Sequence, residues 1–375
     1  MSIFPYNLTL NESNSDKYFD IIADVSERAI LDAEKNFAGI VNEFEIFLAK
    51  ENIDLKRSRN EYLIDLLMIG TLWNVYISNA MASKFIITKF TQALSNIKTD
   101  NVEKNNEIEK LKNQIINEFL IEHSDDPPTA DLNNYTLLLD WLISVSFFNE
   151  EVLQMLVWEK FFNQLDERHI SETLNNIINY TFDFSDNAFN QLHIYTNQVI
   201  DFLEGSYIDS DKTEDIIMRE RSEEEYHLNM IANYLLNKAQ KDNFKAKPKK
   251  IVILPTCIQD ENVHESQGTN SSSIPDNISD KIKNLINELN DPNIELAFIP
   301  HKDFSKFFAK YTNSEDTAFI VAACALNLMS ISFELKRLNI NFQILPLDTS
   351  GCKKYWNNEG IPSNINTNQL IKLLQ

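Results

Sequence analysis

Four short apolar runs near the end of the chain constrain its fold more than any other feature: KIVILP (250–255), IELAFIP (294–300), TAFIVAA (317–323) and FQILPL (342–347). Each run is continuous rather than alternating, the pattern of a strand buried on both faces. Helical periodicities separate them at 278–289, 304–311 and 326–338, and a last one spans 367–374 with Asn366 as its N-cap. Strands alternating with helices predict a small open parallel α/β sandwich of about four strands, with the order 2-1-3-4.

Upstream, residues 16–239 read as helix almost throughout. Ile22, Val25, Ala29, Ala33, Phe37, Ile40, Phe44 and Phe47 recur every three or four residues and paint one apolar stripe. Similar stripes follow at 62–90, 108–121, 135–165 and 170–203. The segment SDDPPTAD (124–131) interrupts them, because prolines and acidic turn formers stop a helix. The expected fold class is therefore α+α/β. An all-α domain spans 1–210 and an α/β domain spans 211–375, with a bridging helix at 213–241 and a polar, mobile loop at 258–276.

Composition narrows the function classes. Six glycines in 375 residues leave little room for glycine-rich phosphate loops, and no Walker-type or dinucleotide fingerprint is present. A net charge of −22 argues against nucleic acid or an anionic membrane as partner. The basic cluster Lys245, Lys247, Lys249 and Lys250 reads as a solvated linker. The first residues lack a signal-peptide pattern, and the charge-free stretch 66–83 carries Thr71, Asn74, Ser78 and Asn79, which suits a buried helix better than a bilayer span. Three cysteines do not make a disulfide framework, and the expected location is cytoplasmic.

The cysteines are placed in an orderly way. Cys257 follows the first predicted strand, Cys324 the third and Cys352 the fourth, while His301 follows the second. Open parallel sheets bind ligands beyond the carboxyl ends of their strands, so these four residues would gather on one rim with Asp348 and Gly351. One reading is a metal site for zinc or an iron–sulfur cluster, completed by His301 or a loop group. The other is apolar packing, since cysteine is among the most frequently buried residues. Spacing alone leaves both open, because no C-x-x-C pair is present. Cys352, beside Lys353 and Lys354, also has the surroundings that lower a thiol pKa, though no histidine–carboxylate pair accompanies it.

SEEEYHLNMIANYLLNKAQ (222–240), ILPTC (253–257), CALNLMSISFELKRLNINFQILPLD (324–348) and GCKKYWNNEGIPSNINTNQL (351–370) together resemble the uncharacterised cysteine-rich family called domain of unknown function 116. The resemblance covers residues 216–375. It implies iron–sulfur clusters or other metals held by cysteines, with no established activity. Only Cys257, Cys324 and Cys352 carry over. The stretch after Cys257 lacks the family's cysteine-rich insert, and Ser350, Tyr355 and Ile344 stand where the family has cysteine, histidine and cysteine. The block containing YHLNM implies that His227 and Asn229 orient loops of the site. Glu224-x-x-His227 has the i, i+3 spacing of carboxylate di-iron helices, which also need further glutamates from facing helices.

The expectation drawn from these features is a binding or scaffolding module with a cysteine-lined rim. An iron–sulfur or other metal-binding redox or enzyme module using Cys257, Cys324 and Cys352 is the alternative, and catalysis is left open. The helical part is expected to contact a partner protein or a second copy.

Overall fold

The structure, a computed structural model, describes residues 4–10, 12–97, 101–204, 216–258, 278–351, 356, 361 and 363–375. Before the strands come α1 (Asp16–Lys50), α2 (Arg59–Ala82), α3 (Phe85–Ser95), α4 (Val102–Phe119), α5 (Leu132–Val145), α6 (Asn149–Phe162), α7 (Glu167–Thr196), α8 (Val199–Glu204), α9 (Ile216–Arg219) and α10 (Glu223–Lys245). The remainder is β1 (Lys249–Pro255), α11 (Ile278–Leu289), β2 (Ile294–Ile299), α12 (Phe304–Phe308), β3 (Thr317–Ala323), α13 (Leu328–Arg337), β4 (Asn341–Pro346) and α14 (Thr367–Leu374). The chain divides into two compact units, one of residues 1–24, 192–202 and 229–375, the other of 25–191 and 203–228.

The first unit holds an all-parallel four-stranded sheet in the order β2-β1-β3-β4, as the apolar runs predict. Side chains alternate across the sheet, so each strand feeds two cores. Val252, Leu254, Ile320 and Ala322 pack with Ile282 and Ile286 of α11 and Leu370 of α14. Ile251, Ile253, Phe319 and Val321 pack on the opposite face with Phe304 and Phe308 of α12 and Leu328, Ile331 and Leu335 of α13. Helices on both faces explain why the strands carry no polar alternation. Asn366 caps α14 as expected, its Oδ1 accepting from the Gln369 amide at 3.0 Å.

Two details differ from the sequence reading. The helix expected at 213–241 is broken, because the chain turns at Glu220–Ser222 and α10 begins at Glu223. At its start the Ser222 amide donates to Glu225 Oε2 at 3.0 Å, one half of a capping box. Lys250 is not a solvated linker residue. It is buried, its ammonium lies 4.6 Å from the Phe244 ring centroid, and it donates to the carbonyls of Phe244, in the last turn of α10, and Lys247, just beyond it. Burial and the nearby Lys247 lower its pKa. The loop expected at 258–276 lies, from residue 259, outside the described residues.

The second unit is helical, with α2 as its buried centre and α5 and α6 packed against it. By length and composition α2 could cross a bilayer, yet 83% of its apolar window is buried inside the protein. Phe44 stacks on Trp158 at 3.8 Å between ring centroids, and Tyr76 stacks on Trp141 at 4.8 Å. Gly70 permits close approach of α2 to α7, since a Cβ there would meet Thr181 Oγ1 at 2.0 Å.

Candidate functional site

The direction of chain travel across the sheet reverses between β1 and β3, the place where open α/β sheets hold ligands. Pairing between β1 and β3 stops at Ile253↔Val321. The flanking ladders run further, β1 with β2 to Pro255↔Ile299 and β3 with β4 to Ala323↔Pro346. The β1–β3 ladder thus ends before its outer neighbours do, at the carboxyl ends of the two central strands, where open α/β sheets have their ligand crevice.

Cys257 and Cys324 flank it. Cys257 sits in a 3-10 turn, Thr256–Ile258, directly after β1. Cys324 precedes the 3-10 turn Ala325–Asn327 after β3. Both thiols are partly buried against the same apolar cluster, the one containing Val252, Leu254 and Ala322. Asn327 Nδ2 donates to Cys324 Sγ at 2.8 Å. His301 also follows its strand as expected, but its ring meets Phe304 edge-on at 5.1 Å, and Phe304 belongs to the core of the opposite face. Cys352, with Lys353 and Lys354, lies outside the described residues. Among the described residues no three His, Cys, Asp or Glu side chains come together as a metal-binding group. Two thiols on neighbouring strands do not by themselves complete a zinc or cluster shell, which takes four ligands.

The rim over β3 and β4 is occupied by the chain's own N-terminal segment. Tyr6, buried, donates its hydroxyl to the Leu347 carbonyl at 3.1 Å and accepts from the Ala325 amide at 3.2 Å. Asn7 bridges Thr349 in antiparallel fashion, and the Leu8 amide donates to the Asp348 carbonyl at 2.8 Å. Asp348 lies beneath this segment rather than open on the rim. Ser15 donates to its Oδ1 at 2.6 Å, and Asn366 Nδ2 reaches Ser15 Oγ at 3.2 Å. Burial pushes the Asp348 carboxyl above its ordinary pKa, and the Ser15 hydrogen bond opposes that shift. Gly351 is a close-packing position: a Cβ would meet the Ile361 carbonyl oxygen at 2.3 Å.

Comparison of the chain with family models, curated proteins and solved structures finds no match.

Asn229 bonds to the chain that follows the Cys324 turn. Its Oδ1 accepts from the Met329 amide at 3.2 Å, in the first turn of α13, which follows the Cys324 turn. Asn233 and Asn237 follow at four-residue spacing on α10, and both reach the main chain of Ile344 in β4. His227 groups with the helical unit, buried, 3.9 Å from Glu223 Oε1 and edge-on to Phe189. Sequence reasoning named Asn229 but missed Tyr6, Ser15, Asn327, Asn233 and Asn237. The asparagine series had a legible signal, three at i, i+4 and i+8 among the otherwise apolar residues 228–237 of α10; Tyr6 and Ser15 had none.

The helical unit contains two buried ion-pair networks that periodicity did not reveal. Arg57 grips Asp65 with two bonds of 2.7 Å, and Trp158 Nε1 donates to the same carboxylate at 3.1 Å. Arg221 donates to Glu225 at 2.6 Å and lies 3.9 Å from the Phe148 ring centroid, while Tyr76 donates to the Glu225 carboxylate at 2.8 Å. Both have every mark of core-organising groups, since aromatic side chains enclose the charges.

Proposed function

We propose that the chain is a non-catalytic binding or scaffolding module whose working surface is the crevice at the carboxyl ends of β1 and β3. The observation that carries this reading is the early end of the β1–β3 ladder at the point where the direction of travel reverses, with two thiols on its lips. The helical unit supports the scaffolding half of the reading. On α3, Phe85 and Ile86 are 68% and 70% exposed, and Phe90 is exposed beside them. Exposed apolar clusters of this kind mark interaction surfaces.

Native mass spectrometry of the full chain, purified from cells without harsh dialysis, tests the crevice. A bound species on the wild type that is absent from a folded Cys257→Trp variant is the expected result. The same spectrum for both proteins counts against the crevice. For α3, Phe85→Ser with Phe90→Ser is expected to abolish whatever association light scattering detects through the helical unit.

The second reading is a metal or iron–sulfur module held by Cys257, Cys324 and Cys352. It is favoured by the two thiols that follow neighbouring strands and share one apolar cluster. A bound group of this kind would supply electron transfer or Lewis acidity. Anaerobic purification followed by metal analysis and absorption spectroscopy tests it: stoichiometric iron or zinc lost in Cys352→Ser supports the reading, and a colourless, metal-free wild type ends it.

A further inference from the structure

The two edges of the sheet are finished differently. On the β4 edge, the outward main-chain groups of Ile344 are taken by α10. Asn237 accepts from the Ile344 amide at 2.7 Å and donates to its carbonyl at 2.8 Å, and Asn233 adds a longer bond to the same carbonyl. A side-chain amide there stands in for a fifth strand.

On the β2 edge nothing equivalent is present among the described residues. The Lys250 amide donates to the Asn293 carbonyl at 2.9 Å, which sets the phase of the ladder. Residues 295, 297 and 299 therefore turn their main-chain groups toward β1, whereas Leu296 and Phe298 turn theirs outward. Among the described residues no hydrogen bond reaches those outward groups. The strand is also incompletely covered: its apolar side chains are half-buried, while those of β1, β3 and β4 are buried. It has no proline, no lysine and one charge, Glu295, so most devices that blunt an edge are missing.

We propose that this edge joins two copies of the chain, through antiparallel pairing of β2 with the same strand of a second copy about a twofold axis at Leu296. The segment is self-complementary in that register. Leu296 faces the partner's Leu296, and Ile294 and Phe298 face the partner's Phe298 and Ile294, so outward main-chain groups meet outward main-chain groups. On the other face Glu295 lies opposite the partner's Ala297, which keeps the two carboxylates from facing each other directly. Pairing in this register extends the four-stranded sheet to eight. A six-residue edge is small for an interface, so the dimer is weak, in the micromolar range. Two copies each carrying −22 repel, so moderate salt tightens it.

Sedimentation velocity on the full chain, from about 5 to about 300 µM, tests the proposal. A reversible dimer is expected, stronger at moderate than at low salt. Leu296→Pro removes an amide that β1 does not use, so the internal ladder stays whole. Loss of the two central hydrogen bonds per dimer is expected to weaken association about thirtyfold or more. A second measurement does not depend on that variant folding. With the three native cysteines replaced by serine, Leu296→Cys is expected to form a disulfide-linked dimer readily, because paired Cα atoms in this geometry lie about 5.5 Å apart. Glu295→Cys, offset from its own counterpart, is expected to crosslink far more slowly. A chain that stays monomeric throughout overturns the proposal. So does a dimer that persists in folded Leu296→Pro, one dissolved only by Phe85→Ser with Phe90→Ser, or equal crosslinking rates at 295 and 296.

Discussion

The side-chain amide of Asn237 satisfies both main-chain groups of Ile344, accepting from its N–H at 2.7 Å and donating to its C=O at 2.8 Å. Asn237→Ala leaves a buried strand edge open on that side. A loss of about 2 kcal/mol in unfolding free energy is expected, with increased aggregation at high concentration. Chemical denaturation and light scattering measure the two effects. Unchanged values for both would mean that water replaces the amide without cost.

Tyr6 ties the N-terminal segment to the strand ends through one hydroxyl that donates to Leu347 and accepts from Ala325. Tyr6→Phe keeps the ring and deletes both bonds. It is expected to cost about 1–3 kcal/mol, because the buried Ala325 amide is left without its partner. Hydrogen exchange at Ala325 and Leu8 is expected to accelerate more than exchange in the β1–β3 ladder. Uniform acceleration everywhere would show that the hydroxyl supports the whole sheet rather than local docking.

The buried Asp348 carboxyl has a pKa raised in the folded state, with burial as the main cause. The folded protein therefore holds that proton at pH values where the unfolded chain releases it. The group's stability contribution is complete below the unfolded value of about 3.9 and falls as pH rises through the folded value. Asp348→Asn keeps an acceptor for Ser15 and removes the titration. The stability difference between wild type and variant is expected to move against the wild type as pH rises from about 4, levelling off above the folded pKa. Denaturation midpoints of both proteins across this range give the difference directly, and a flat difference would contradict the raised pKa.

Arg57 and Asp65 are paired out of reach of solvent, their side chains 4% and 1% exposed. Arg57→Met strands the carboxylate and is expected to cost about 3–5 kcal/mol. The double change Arg57→Met with Asp65→Leu removes both charges and is expected to recover most of that loss. A double variant as unstable as the single one would show that the hydrogen bonds to Gln154 and Trp158 matter more than the charge pair.

Much of the α/β unit was legible because buried parallel strands leave a plain record. Ile251–Leu254 and Phe319–Ala322 are apolar at every position since helices cover both faces, and the strand order follows from crossover rules. Placement of Cys257, His301 and Cys324 after their strands was readable for the same reason. Their surroundings were not: the side of the sheet on which His301 rests depends on Phe304, and the hydrogen bond to Cys324 comes from Asn327 in the turn it opens.

Periodicity and run length, properties of neighbours along the chain, determined most helices and the four strands, and crossover rules set the strand order. Tertiary structure alone decided that Tyr6 and Ser15 cover the strand ends, that Asn237 closes one sheet edge, and that among the described residues no such bond closes the other. Those choices depend on which main-chain and carboxylate groups still need partners once the ladders and helices have formed. The residues that meet such needs lie hundreds of positions apart, 333 for Ser15 and Asp348, so no local pattern records them.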